Sequence, residues 1–129
     1  MGSRQERNCV LPGLSRQIKF MRISIHFNSR EEQHSEYDWA DISIGDTRVG
    51  KARCKIEGST ITINTINIYP EWEGHGYGRE FVDFCKDHFS VVIAARVRHV
   101  SVGFWETMGF IDNKDGCWVY HRILPDGEI

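Results

Sequence analysis

Apolar and polar positions alternate through most of the first half of the chain. From Gln17, the residues Ile18, Phe20, Arg22, Ser24 and His26 alternate with Lys19, Met21, Ile23, Ile25 and Phe27. β-Forming residues dominate there, which predicts a strand. A short polar link, residues 28–35, follows, and three further strands are predicted at residues 37–44, 47–57 and 60–69. Gly45-Asp46 and Gly58-Ser59 separate them and suit hairpin turns, so the strands should form an antiparallel meander. In the last of them Ile61 and Ile63 share one face, but the apolar series resumes at Ile66 and Ile68, one residue out of step. Strand side chains have a period of two. The slip therefore reads either as a β-bulge near Asn64-Thr65 or as a strand that carries two polar residues.

Beyond Gly78 the period becomes helical. Phe81, Phe84, Cys85, His88 and Phe89 form one continuous stripe, ended by Ser90, with His88 expected to be a partly buried core residue. Residues 91–97 are an apolar run of strand length, expected to be buried on both faces. Residues 100–108 read as a short helix stopped by Gly109, which suits the position just past a helix end. Asp115-Gly116 turns a final hairpin between residues 110–112 and 117–124. The order β-β-β-β-α-β-α-β-β predicts an α/β domain with a mixed, mostly antiparallel sheet and two main helices. There are no internal repeats.

The chain has 129 residues, enough for one domain with its own core. Residues 1–16, broken by Pro12-Gly13, read as a flexible basic arm or leader, and residues 17–129 as the folded domain. With 40% hydrophobic and 26% charged residues, wholesale disorder is excluded. The formal charge of −2 hides an asymmetry: residues 1–30 sum to +5 and residues 31–129 to −7. The acidic remainder favours a cationic acceptor or partner such as lysine or a polyamine. The dispersed arginines and lysine of the basic arm (Arg4, Arg7, Arg16, Lys19, Arg22, Arg30) make nucleic-acid binding a weak alternative to a solvated tail. The longest apolar run, residues 91–95, falls far short of the ~20 residues of a membrane span. Cys9, Cys54, Cys85 and Cys117 form no C-x-x-C pair and are expected to be free thiols in the cytoplasm. Six histidines without ligand spacing make a metal site unexpected.

The segment Tyr69-Pro70-Glu71-Trp72-Glu73-Gly74-His75-Gly76-Tyr77-Gly78-Arg79 carries the chemistry. Three alternating glycines between a strand and a helix start let backbone N–H groups turn toward an anion, and the helix dipole adds to the attraction. The spacing fits neither the Walker loop nor the dinucleotide fingerprint. Further on lies Phe104-Trp105-Glu106-Thr107-Met108-Gly109-Phe110. The first segment resembles the pyrophosphate loop of the Gcn5-related N-acetyltransferase (GNAT) family, Pro-Glu-x-[Arg/Gln]-x-x-Gly-x-Gly/Ala. The second resembles that family's Phe-Tyr-Glu-Lys-Leu-Gly-Phe segment.

The resemblance implies an acetyl-CoA cosubstrate lying where the strand of residues 60–69 splays from that of residues 91–97. Backbone groups of Ile68 and Tyr69 would hold the pantetheine arm, and N–H groups of Glu73, Gly74, His75, Gly76, Tyr77, Gly78 and Arg79 the pyrophosphate. Trp105 would lie along the arm near the thioester. The implied reaction is direct acetyl transfer to a primary amine: a protein lysine, a chain amino-terminus or a polyamine. Four departures from the family pattern qualify it. Glu73 stands at the Arg/Gln position, Trp105 replaces the tyrosine acid, and Arg98 stands where an Asn is usual. Residues 28–37 leave too little chain for the two helices that normally roof the acceptor site, so the site should be open, or completed by a partner subunit in a homodimer. Thr62 cannot replace the family's glutamate base. Glu36, Asp38 and Asp41 are candidate bases, Tyr69, Tyr77 and Tyr120 candidate acids, and no catalytic residue is assigned. A CoA-binding or protein-interaction module without catalysis is the alternative.

Overall fold

The computed structural model describes residues 22–122. The basic leader of residues 1–16, Cys9, the first residues of the predicted opening strand and residues 123–129 lie outside them. The elements run β1 (Ser24–Asn28), α1 (Arg30–Gln33), β2 (Asp38–Ile44), β3 (Thr47–Glu57), β4 (Thr60–Ile68), α2 (Tyr77–His88), β5 (Val91–Ala94), α3 (Val102–Thr107), β6 (Ile111–Asp112) and β7 (Trp118–His121). They form one mixed seven-stranded sheet in the order β1-β2-β3-β4-β5-β7-β6. Only β4 and β5 pair in parallel, because the connection between them is the helical crossover through α2.

The alternation predicted for the meander sorts its side chains onto two faces. Ala40 and Ile42 of β2, Ala52 and Cys54 of β3, and Ile61 and Ile63 of β4 point inward and are buried. The helical stripe of α2 closes over them with Phe81, Val82 and Cys85, while Trp105 and Met108 extend the core beneath β5 and β7. Phe27 of β1 meets Phe84 and Phe89 with ring centroids 6.2 and 6.5 Å apart, fastening the edge strand to the helix. Burial of these apolar side chains is the main force holding the layers together.

Two bulges break the ladders. Arg53 faces Thr65 and Cys54 faces Ile63, which leaves Asn64 as the extra residue of β4, where the one-residue slip fell. A second shift, between Ile42 and Ser43, leaves Val49 extra in β3, where the apolar series also steps out of phase from Val49 to Ala52, Cys54 and Ile56. Beside it Gly50 lies so close to β4 that a Cβ would stand 2.6 Å from the carbonyl oxygen of Asn67.

Other expectations are corrected. The polar link contains the one-turn helix α1, started by Ser29, whose hydroxyl accepts from the Glu32 N–H at 3.2 Å. β5 ends at Ala94 rather than residue 97, because Arg96 takes a left-handed conformation (φ 52°) and turns the chain. It is also buried on one face only, with Val91 and Ile93 half-buried. The helix predicted at residues 100–108 begins as a 3-10 turn, His99–Ser101, and continues as α3. His88 is exposed instead of buried. It is the last residue of α2, and its Nδ1 donates back to the Phe84 carbonyl at 2.9 Å, helping satisfy the helix end.

Cys54, Cys85 and Cys117 are free thiols. Burial, with a smaller contribution from the Asp38 charge, pushes the Cys54 thiol up to about 12, and burial raises Cys85 as well. A thiol whose acidity is suppressed only in the folded state contributes stability that is present below its ordinary value of 9.0 and lost as pH rises toward 12. Urea unfolding at increasing pH should therefore show stability falling above pH 9, with a shallower fall in Cys54→Ala. Gly50→Ala should cost about 1–3 kcal/mol in the same assay, because the added methyl meets a backbone oxygen that cannot move without disturbing β4.

Candidate functional site

β4 and β5 stay paired as far as Ile63 and Ala94, and one further bond, from the Ala95 N–H to the Ile63 carbonyl at 3.0 Å, closes the ladder. Beyond it β4 continues to Ile68 while the other chain leaves. The Asn64 bulge redirects β4, and Arg96 redirects the partner. The Val97 N–H is donated to Gly116 at 2.9 Å, so the departing chain is held by the β6–β7 hairpin. The result is a cleft of about 670 Å³. Ile63 to Ile68 form one wall, Ala95 to Arg98 the other, and Phe104 and Trp105 of α3 close one side.

The wall made by β4 is a free strand edge. The Tyr69 N–H is donated to the Val49 carbonyl at 2.8 Å, and the Tyr69 carbonyl accepts from Trp72 at 2.8 Å. Successive residues of an antiparallel strand turn their backbone groups to opposite edges. With Tyr69 bonded to β3, Ile68 and Ile66 turn theirs toward the cleft. Of the predicted pair Ile68 and Tyr69, then, Ile68 offers its backbone to the cleft and Tyr69 does not. Ile66 takes its place, a residue whose role depends on ladder phase and carries no signal in its own side chain.

At one end of the cleft lies the glycine loop. Pro70–Trp72 is a 3-10 turn, and Gly74 and Gly76 adopt φ of 85° and 84°, the left-handed region that glycine alone enters without strain. Gly76 caps α2, so the N–H groups of Gly76, Tyr77, Gly78 and Arg79 have no partner within the helix. A Cβ on Gly78 would lie 3.9 Å from both Ile66 and Ile68, an ordinary contact, so the helix start packs beside these two residues of the cleft wall. His75 turns inward to the loop. Its Nδ1 lies 3.1 Å from the carbonyls of Trp72 and Glu73, and its ring stacks on Tyr77 at 5.5 Å. Glu73 is exposed and lines the cleft.

Arg22 braces the whole loop, a role that its place in the basic arm did not suggest. Its guanidinium forms an ion pair with Glu80, donates to the His75 carbonyl at 2.7 Å and lies 4.9 Å over the Tyr77 ring. Its backbone N–H also donates to Glu80 at 3.1 Å. Arg30 is likewise committed, to Glu57 at 3.3 Å and to the buried Asp38. Two of the six cations of the basic arm are thus structural.

The candidate acids and bases are elsewhere. Asp38 accepts from the N–H groups of Arg30 and Ile56 at 2.7 and 2.8 Å and ties α1 to β3. Asp41 pairs with Arg48 at 3.4 Å and accepts from Asn28. Tyr77 is buried under Arg22, and Tyr120 packs between Phe110 and Lys86. Neither these residues nor Glu36, Thr62 or Tyr69 line the cleft. Trp105 does, as a buried wall residue packed edge-on against Phe104 and Phe110 with both centroids 4.9 Å away. Among the described residues no group of His, Cys, Asp and Glu is arranged to hold a metal, and no helix is long and apolar enough to cross a membrane.

The arrangement can take an extended chain along β4 with an anionic group at the α2 N-terminus. The profile of the acetyltransferase (GNAT) family matches residues 8–110. An uncharacterized N-acetyltransferase of Oceanobacillus iheyensis is 39% identical over 51 residues, a match covering 40% of this chain and 31% of that protein's length. The Bacillus subtilis N-acetyltransferase YlbP, solved in complex with coenzyme A, is 22% identical and superposes with a TM-score of 0.53 over 71% of this chain and 70% of its own. The ribosomal-protein-S18-alanine N-acetyltransferase of Escherichia coli shares the fold at 10% identity, with a TM-score of 0.57 over 83% of this chain and 98% of its own. With a family profile that matches residues 8–110, most of its length, the chain belongs to the acetyltransferase (GNAT) family.

Proposed function

We propose that the chain binds acetyl-CoA in the cleft between β4 and β5 and transfers the acetyl group to a primary amine. The observation that carries this reading is the continuity of two backbone surfaces: the free edge of β4 at Ile66 and Ile68 runs directly to the unpartnered N–H groups at the start of α2. The first suits the amides of a pantetheine arm, and the second suits a diphosphate. In this reading the N–H groups from Gly74 through Arg79 hold the diphosphate, while that of Glu73, expected from the sequence to join them, is given to the Pro70 carbonyl at 3.3 Å; Gly74, His75, Gly76 and Tyr77 shape the loop, and Trp105 walls the arm.

Acetyl-CoA supplies an acetyl group activated as a thioester. The amine nitrogen bonds to the acetyl carbon, the C–S bond breaks, and the proton shed by the nitrogen balances the thiol released. Apart from Glu73 at the loop end, no carboxylate, histidine or tyrosine lines the cleft among the described residues. The acceptor must therefore arrive as the neutral amine or give its proton to water. Rate enhancement then rests on holding the two reactants together. Between β1 and β2 only nine residues, 29–37, intervene, and α1 is their one helical turn. Such an open approach favours an amine presented by a protein or peptide over an enclosed small molecule. The absence of an acid–base pair from the cleft favours a second reading, a CoA-binding module without turnover. Calorimetry with acetyl-CoA alongside a thiol-release assay separates the two, since binding without release with any amine supports the module.

Glu73 places a negative charge where the diphosphate would lie. Glu73→Gln should tighten CoA binding by roughly fivefold, the effect of removing about 1 kcal/mol of like-charge repulsion in a solvated site. Arg22→Met should weaken it by about tenfold, a loss tempered by the exposure of the Glu80 ion pair. The same variant should speed amide hydrogen exchange at residues 74–80 while leaving β5 protected. Equal CoA affinity in all three proteins would contradict this placement of the diphosphate.

A further inference from the structure

Cross-strand partners share a face of a sheet, so the register identifies what lies on the side opposite α2. Trp39 pairs with Arg53, Asp41 with Lys51, Arg53 with Thr65, Lys51 with Asn67 and Lys55 with Thr62. The outer face of β3 is therefore a row of cations, Lys51, Arg53 and Lys55, bordered by aromatic rings. Lys51 lies 5.2 Å over Trp39, and Arg53 and Lys55 lie 4.7 and 5.3 Å over Tyr37. Rings hold these charges in place without neutralising them. Among the described residues none of the three has a carboxylate partner, and Asp41, the nearest acid in register, is paired with Arg48. The Nε of Arg53 is buried and has no acceptor.

This row adjoins the cleft. A hollow of about 240 Å³ between Trp39, Lys51 and Arg53 shares Thr65, Ile66 and Asn67 with the cleft wall. Across the cleft stand Arg96 and Arg98, also without carboxylate partners among the described residues. The single carboxylate in the lining, Glu73, lies at the loop end. The net acidity of the chain pointed to a cationic acceptor, whereas the charge beside the cleft is positive.

Resting on the acetyl-transfer reading above, we propose that the acceptor is a primary amine bearing a carboxylate, seated on the outer face of β3 and β4 with its carboxylate against Lys51 and Arg53 and its amine turned into the cleft. A carboxylate there meets the Lys51 ammonium and the Arg53 guanidinium, neither of which has a carboxylate partner among the described residues. The surrounding cations also disfavour an ammonium, so the amine is more readily presented neutral in a cleft without a carboxylate base near the acceptor. A polyamine or a lysine in a basic sequence meets repulsion at the same place.

The test is acetyl transfer by the full chain, followed by thiol release, with matched acceptors. These are free glutamate against glutamine, an amino-terminal Asp-Glu peptide against its Asn-Gln counterpart, and spermidine. The carboxylate-bearing member of at least one pair should be preferred by about tenfold in kcat/KM at low ionic strength, with the preference shrinking as salt rises. Which pair responds tells a free amino acid from a chain amino-terminus. Lys51→Glu should abolish the preference and leave CoA affinity, read by calorimetry, unchanged, and Lys51→Gln should reduce it. Arg53 is left intact because its guanidinium also packs 4.7 Å over Tyr37, so its replacement would disturb the face as well as remove a charge. Transfer to neutral or cationic acceptors at equal rates, or a preference indifferent to Lys51→Glu, overturns the proposal and leaves acetyl transfer standing. Binding of acetyl-CoA with no transfer to any acceptor overturns both.

Discussion

The parting of β4 from β5 is the constraint on which the rest of the site depends. Two strands that stayed paired would satisfy each other's backbone groups and leave nothing for a ligand. Here the ladder ends at Ile63, and each strand is turned by a separate device, the extra residue Asn64 on one side and left-handed Arg96 on the other. The parallel pairing matters as much. It requires the crossover through α2, and that crossover delivers a helix N-terminus to the end of the cleft. A bulge, a helix start and a free edge are thus consequences of one topological decision.

Much of this was legible in the sequence wherever a period changed. The meander followed from alternation, α2 from its stripe, and the Asn64 bulge from a one-residue slip between Ile63 and Ile66. What escaped had a masked periodic signature or none. The bulge at Val49 sits beside Gly50, whose missing side chain hides the out-of-phase step from Val49 to Ala52. Val97 looked like a continuing strand because the turn is made by an arginine rather than a glycine. Phase also mattered: whether Tyr69 or Ile66 joins Ile68 in facing the cleft depends on which edge β3 occupies, and side-chain identity does not encode that. Arg22 escaped because its partners lie 53 and 58 residues away.

Charge shows the same gap between a sum and a distribution. Several of the acidic residues behind the −7 are engaged in the framework: Asp38 with α1, Glu80 with Arg22, Asp41 with Arg48. Others, Glu71 and Glu73, lie at the loop. The cations of β3 are spread along one strand and go unnoticed in a net count. Alternation nevertheless gathers every second residue onto one face. For a chain near neutrality, the face assignment carries the information about partners that the total does not.

Arg22 has one more consequence, which concerns the order of events as the chain folds. It lies two residues before β1, a strand at the sheet edge that among the described residues shares its ladder with β2 alone. The loop it braces can form its turns locally, but the brace closes only after β1 has docked, across more than fifty residues of intervening chain. Closing so long a span carries an entropy cost that only an assembled sheet can offset. The loop therefore reaches its final rigidity last. In the native state, too, fraying of this edge strand and loosening of the glycine turn are coupled through Arg22, so an edge of the sheet sets the lifetime of the ordered loop.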